Sequence, residues 1–227
     1  MRPLAILAAA AGAMIALAPA AFAAAPAALP DFSGDWVVEG ANTLDPAGKG
    51  PAYKPEWAAK VRATQADLKA GKIKDPIKTC GLPAGMPRML ALPDVHEWIV
   101  RPEEVWHAVE HGGTVRRIFT DGRPHLKGDD LFPQFTGENV GHWEGDTLVI
   151  DTIGTRDDAW LDGAGLLHSE ALHVVQRVRL IAPGRLQVVA TMDDPEAFAR
   201  PWTVTRTYRR LPKGSFVHDY ACKVLRE

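Results

Sequence analysis

The sequence predicts a mainly β domain: an antiparallel, lipocalin-like barrel with one amphipathic helix and long loops, a β-sandwich being the alternative. Three observations lead there. From residue 96 onward the chain is a series of short apolar runs separated by turn residues. The turns His111-Gly112-Gly113, Glu144-Gly145-Asp146 and Ala182-Pro183-Gly184 are hairpin-sized, which makes the runs they join antiparallel. No repeated strand–helix unit supports a parallel α/β sheet. Closure of such a meander removes exposed edges and leaves an interior able to hold one small ligand.

The elements follow in order. Met1-Arg2-Pro3 precedes an Ala/Leu/Ile/Met-rich run that breaks at Pro19, and Ala21-Phe22-Ala23 has the small-x-small form of a cleavage site. Residues 1–23 therefore read as a signal peptide and 24–227 as a single barrel-like domain, with the periplasm or the cell exterior as its location. No second long apolar run exists, so no stable membrane insertion is expected. Residues 32–40, with Gly34-Asp35-Trp36, read as the first strand. Pro55 suits a first helical turn, Trp57, Val61, Thr64 and Leu68 share one helix face, and Gly71 stops it. Residues 72–95 carry four prolines and little periodicity. Strands are then expected over 96–100, 105–110, 114–120, 147–153, 170–181, 186–192, 202–210 and 216–222.

Alternation assigns faces. In the run from Glu170, Leu172, Val174, Val178 and Leu180 share the core side, opposite His173, Arg177 and Arg179. In the last long run Trp202, Val204, Arg206 and Tyr208 share a side, so Arg206 turns inward with its apolar neighbours. A buried guanidinium needs a partner, either a structural ion pair or the carboxylate or phenolate of a ligand.

Charge and cysteine usage narrow the classes. The net charge is −2, or −3 once Arg2 is removed with the signal, and basic residues are scattered. That argues against a nucleic-acid partner, which calls for a concentrated basic face. The two cysteines, Cys80 and Cys222, allow one intrachain disulfide in an oxidising compartment, closing a loop of about 140 residues and worth about 5 kcal/mol on the chain-entropy model. Two buried thiols are the alternative. The chain contains no nucleophile elbow, Walker loop or His-Glu-x-x-His. His168-x-Glu170-x-x-His173 is not expected to bind metal, because a strand would turn His173 away from the other two.

Two long loops concentrate polar residues. One runs from Thr120 through Asp121-Gly122-Arg123-Pro124-His125 to Val140; the other runs from Ile153 to Leu167 and delivers His168-Ser169-Glu170. If they converge over one barrel mouth, His168 is the candidate general acid or base, with Glu170 or Asp151 orienting it and His125 returning the proton. Arg123 would stabilise developing negative charge, with Asp121, Arg206 and Trp202 as further binding residues.

Cys80-Gly81-Leu82-Pro83-Ala84-Gly85-Met86-Pro87-Arg88, Asp121-Gly122-Arg123-Pro124-His125, Gly141-His142-Trp143-Glu144-Gly145-Asp146-Thr147-Leu148-Val149-Ile150-Asp151-Thr152 and His168-Ser169-Glu170-Ala171-Leu172-His173 form a set of motifs, completed by Asp194-Pro195-Glu196-Ala197-Phe198 and Pro201-Trp202-Thr203. The set resembles a widespread family of secreted bacterial proteins to which no reaction is attached. Relatives tend to carry Gly-His-Ser where this chain has Gly137-Glu138-Asn139. Two functions are expected from the residues. One is a cofactor-independent acid/base enzyme for a small aromatic or carbonyl-bearing molecule. The other is a periplasmic binding or carrier protein for a small amphiphile. Each has a small-molecule partner and no cofactor, and the oligomeric state is left open.

Overall fold

The computed structural model describes residues 29–79 and 83–215. The expected signal peptide, the strand expected over 216–222, Cys80 and Cys222 all lie outside those residues. The expected disulfide is corrected: no disulfide exists among the described residues, and none is assigned. The barrel instead unites its first and last described strands by backbone hydrogen bonds, a closure that needs no covalent tie.

Nine strands close into a barrel in sequence order. They are β1 (Gly34–Val38), β2 (His96–Val100), β3 (Glu104–Val109), β4 (Thr114–Phe119), β5 (Glu138–Glu144), β6 (Thr147–Ile153), β7 (His173–Ala182), β8 (Arg185–Asp193) and β9 (Trp202–Arg210). β1 pairs with β9, setting Trp36 opposite Arg210 and Val38 opposite Tyr208. The architecture is thus the lipocalin-like barrel, and the sandwich alternative is excluded by that closure.

A closed ring returns to its starting direction only if the number of antiparallel neighbours is even. Nine strands cannot satisfy this with antiparallel pairings alone, and one pair is parallel: β4 and β5, bridged at Phe119 and Val140. The connection between them, residues 120–137, is therefore a crossover that returns along the barrel. β5 itself has little alternation and carries Gly141, which is why the sequence pattern names no strand between 120 and 147.

In β7 and β9 the inward faces follow the predicted alternation: Leu172, Val174 and Val178, and Val204, Arg206 and Tyr208, are all buried. Between them β8 turns Leu186, Val188, Ala190 and Met192 inward. One end of the barrel carries short turns and the buried Phe32, whose ring meets Trp98 edge-on at 5.5 Å. The other end carries α1 (Pro55–Lys69) and the long loops. Of the predicted helical stripe, Val61 is buried and Trp57 packs against the core. Gly71 follows α1 with φ +72, the left-handed conformation that glycine adopts without cost.

The same end is plugged by residues 84–92, buried without a break and built around a 3₁₀ turn at Arg88–Ala91. Tyr208 donates to the Leu90 carbonyl (2.6 Å) from inside the barrel. Arg88 makes a bidentate buried ion pair with Asp75 (2.6 and 2.5 Å), and the Met86 N–H donates to the Phe135 carbonyl (2.7 Å). The backbones approach so closely here that a Cβ on Gly85 would lie 2.5 Å from that carbonyl oxygen.

Candidate functional site

Polar side chains gather in two places, on opposite faces of one wall. The inner group arises from alternation in β2, β3 and β4, which sends His96, Trp98, His107 and Arg116 to the same side as Val105, Val109 and Ile118. Register then aligns them, with Trp98 opposite His107 and His107 opposite Arg116. Arg116 reaches across to β5 and β6, donating Nε–H to Asn139 Oδ1 (2.6 Å) and Nη2–H to Thr152 Oγ1 (2.7 Å). Gln176 on β7 lies opposite Ile150, diagonal to Thr152. A polar band thus crosses the interior from β2 to β7. The facing wall, from β7 to β9, is largely aliphatic.

Hydrogen-bonding partners fix the histidine tautomers. The Leu92 carbonyl can only accept, so His96 Nε2 carries hydrogen and donates to it at 3.0 Å. In neutral His96, Nδ1 is then an acceptor and takes the N–H of His107 Nε2 at 3.0 Å. That leaves His107 Nδ1 as a buried lone pair with no partner. Burial drives both rings towards the neutral form, His96 down to about 4 and His107 well below the usual histidine value. His107 stacks on Trp98 with centroids 3.9 Å apart.

Among the described residues, further interior atoms without a protein partner are Trp98 Nε1, Trp143 Nε1, Arg116 Nη1, Arg206 Nε, and both the nitrogen and the oxygen of the Gln176 amide. The acceptors that the two guanidiniums do have are all neutral. Arg206 donates from Nη2 to the carbonyls of Glu39 (3.2 Å) and Ala41 (2.7 Å). Burial lowers the pKa of both; that of Arg116 is pushed down to about 9, leaving it cationic at neutral pH. Burying a charge without an opposite partner costs several kcal/mol even after relaxation.

The outer group is formed where the crossover returns. His125 Nδ1 meets Glu138 Oε2 on the outer face of β5. Its Nε2 lies 3.2 Å from Asp151 Oδ1 on β6, an ion-pair contact off the line of a hydrogen bond. Asp151 Oδ1 also accepts from His173 Nε2 (2.6 Å) on β7. The chain His173–Asp151–His125–Glu138 therefore spans three strands and the crossover. Asp121 and Arg123 are nearby but pair with each other (2.6 Å), with the Arg123 guanidinium over the Phe119 ring (3.8 Å), and line an outer cleft of about 520 Å³.

The expected site residues are thus divided. His125 and Asp151 come together, with Glu138 and His173 as unforeseen partners. Arg206 points inward as expected, and Trp202 packs against the core opposite Met192. His168 joins neither group. It is buried, held through Nδ1 to the Ser169 carbonyl (2.8 Å), and its pKa is lowered by that burial. Its neighbour Ser169 does the connecting work, donating from N and Oγ to buried Asp194 (2.7 and 2.8 Å) and so tying the loop before β7 to the loop after β8. Glu170 is exposed.

No protein family and no curated protein matches the sequence. Solved structures give a distant likeness. A mutant of the REP1-NXSQ fatty acid transporter is 9% identical, with 79% of this chain and 97% of that chain covered and a TM-score of 0.37. A secretory abundant heat soluble protein from Ramazzottius varieornatus is 9% identical over 79% of this chain and 95% of that one, with a TM-score of 0.35. The wild-type fluorescent protein UnaG is 14% identical over 79% and 97%, with a TM-score of 0.34. The fold class rests on the strand topology of the chain itself.

Sequence reasoning missed Arg116, His107, Gln176 and Asn139. The signal was present for the first two: Thr114, Arg116 and Ile118, like Val105, His107 and Val109, alternate with outward residues in the pattern that revealed Arg206.

Proposed function

We propose that this protein binds a small amphiphilic molecule inside its barrel, working as a binding or carrier protein outside the cytoplasm. The observation that carries this reading is the buried Gln176. Both atoms of its amide are without a partner among the described residues, in the barrel interior at the end of the polar band and against the aliphatic wall. Buried polar groups in folded proteins are almost always hydrogen-bonded, and leaving one unmade costs about 1–3 kcal/mol. The unpartnered Trp98 Nε1 and His107 Nδ1 add a donor and an acceptor to the same interior. An apolar surface with a few convergent polar groups is the usual make-up of a small-molecule site. The Ala21-Phe22-Ala23 cleavage pattern is what supports the compartment in this proposal.

Intrinsic tryptophan fluorescence provides the test, because Trp36 and Trp98 are fully buried in the barrel. Titration of the mature protein with medium-chain and aryl-alkyl amphiphiles should change that emission saturably, with Kd values in the micromolar range or below. A panel in which nothing binds overturns the proposal.

The outer cluster favours a second reading, acid/base catalysis on a small carbonyl or aromatic molecule. His125 is held between Glu138 and Asp151, and His173 and Asp151 remain partly exposed to solvent. A substrate against this wall would have a proton-transfer group within reach. Turnover of carbonyl, ester or phenolic compounds that falls at least about 100-fold in His125→Ala would support this reading. Turnover unchanged in that variant would exclude it.

A further inference from the structure

From the charge balance of the interior we infer that the ligand is an anion, a small amphiphilic carboxylate whose head group meets Arg116 Nη1 within the polar band. This rests on the interior-binding reading above and names its ligand class. Arg116 is fully buried, and its Nη1 has no acceptor among the described residues. The bonds that it does make, from Nε to Asn139 and from Nη2 to Thr152, fix the plane of the guanidinium and leave Nη1 as its unbonded end.

Among the described residues, the surroundings of Arg116 contain no counter-charge. His107 stands directly opposite it on β3, Asn139 and Thr152 face it from β5 and β6, and Tyr208 is the ionisable group nearby. The Tyr208 phenol is engaged with the Leu90 carbonyl, and burial raises its pKa further, so it does not serve as an anion. Glu138, next to Asn139 in sequence, is turned to the outer wall by strand alternation and used by His125. Arg206 adds a second cation to the same interior, and its acceptors are also neutral. By contrast, the plug's buried Arg88 has the carboxylate of Asp75 in a bidentate pair. The fold thus supplies a counter-ion where a guanidinium is purely structural and omits it at Arg116.

A carboxylate suits this position better than a bare inorganic ion. Planar oxyanions are what a guanidinium edge recognises through parallel N–H bonds. The Gln176 amide can donate to a second oxygen, and the aliphatic residues Val174, Val178, Val188 and Val204 provide a surface for an apolar tail. A primary amine would be repelled by both arginines.

Calorimetric titration of the wild-type mature protein with dodecanoate, dodecanol and dodecylammonium, and with 4-phenylbutyrate and 4-phenylbutanol, tests the inference without any variant. Each carboxylate should bind at least about 30-fold more tightly than its matched alcohol, and the ammonium compound should not bind. Equal affinity for acid and alcohol would overturn the anionic class while leaving interior binding in place; no binding by any compound would overturn both. Two variants localise the effect. Arg116→Met, if circular dichroism shows the barrel intact, should reduce the acid-over-alcohol preference to within about 3-fold. Arg117→Met removes the same charge from the outer face of the same strand and should leave the preference unchanged. Loss of preference in Arg117→Met would show that net charge, not an interior site, was responsible. Competition by millimolar chloride or phosphate that abolishes carboxylate binding would reassign the position to an inorganic anion and overturn the inference.

Discussion

Gln176 and Asn139 illustrate how differently two buried amides act when their partners differ. Asn139 Oδ1 accepts from Arg116 and from Thr152 (2.6 and 2.9 Å), and its amide nitrogen donates to the Gly137 carbonyl (2.9 Å). Gln176 has no such bonds. Replacing a satisfied buried group leaves its partners stranded, whereas replacing an unsatisfied one by an apolar side chain of similar size removes a desolvation cost. Gln176→Leu is therefore expected to keep the stability of the unliganded protein or raise it by up to about 2 kcal/mol, while weakening ligand binding. Urea denaturation measures the first effect and fluorescence titration the second. A variant destabilised by more than about 1 kcal/mol would show that the amide is engaged in the protein itself.

The plug and the crossover give this barrel its individual character. The plug closes one end with main-chain contacts as well as side chains, and Gly85 is where those contacts leave no room. Gly85→Ala would place a methyl against the Phe135 carbonyl at 2.5 Å and the Ala159 Cβ at 3.0 Å. Overpacking of that kind costs about 1–3 kcal/mol. Because the plug also receives hydrogen bonds from Tyr208 and His96, the variant should loosen the interior too. Amide hydrogen exchange would then show faster exchange in residues 84–92 and in β2 than in β7 and β8. Wild-type exchange in all of these would mean that the plug accommodates a methyl without moving. The crossover has another role: returning the chain along the outer wall, it is what brings His125 to Glu138 and Asp151.

The molecule as a whole responds to acid through buried rings. In the folded protein burial brings His96 down to about 4, against an ordinary value of 6.5, and His107 and His168 are lowered for the same reason. Between pH 6.5 and 4 the unfolded chain therefore holds more protons than the folded one, so stability falls as pH drops through that window. His96 alone corresponds to a loss on the order of 2 kcal/mol by pH 5. His111 acts in the opposite direction, because Asp94 raises its pKa; its contribution is present below pH 6.5 and lost as pH rises. It is a single, partly exposed ring set against three buried ones, so the buried rings dominate. Urea midpoints at pH 7 and pH 5 should show a clear decrease, smaller in His96→Gln. Equal midpoints for the wild-type protein would contradict this account of its neutral buried histidines.

What could be read directly from the residues was whatever depends on neighbours along the chain. Short apolar runs bounded by turn residues located eight of the nine strands, and alternation turned Arg206 inward, because side chains on a strand switch faces with period two whatever lies across from them. Pro55 and Gly71 bracketed α1 through their own backbone preferences. β5 escaped because its local pattern is weak and its place is set by ring closure, a constraint that involves all nine strands at once. The same distinction separates the two polar groups. His125 and Asp151 were recognisable as candidates, but their meeting depends on a parallel step that only closure imposes. His168 looked chemical in sequence and is buried away from both groups, because Asp194, 25 residues later than Ser169, holds its loop in place. The polar band was decided by register and by the β4–β5 step: His107 faces Arg116 and Asn139 faces Thr152 within hairpins, and Arg116 then reaches across to Asn139 and Thr152, 23 and 36 residues later. No run of residues states that Arg116 will be buried without a counter-ion, since that depends on every side chain that could have reached it and does not.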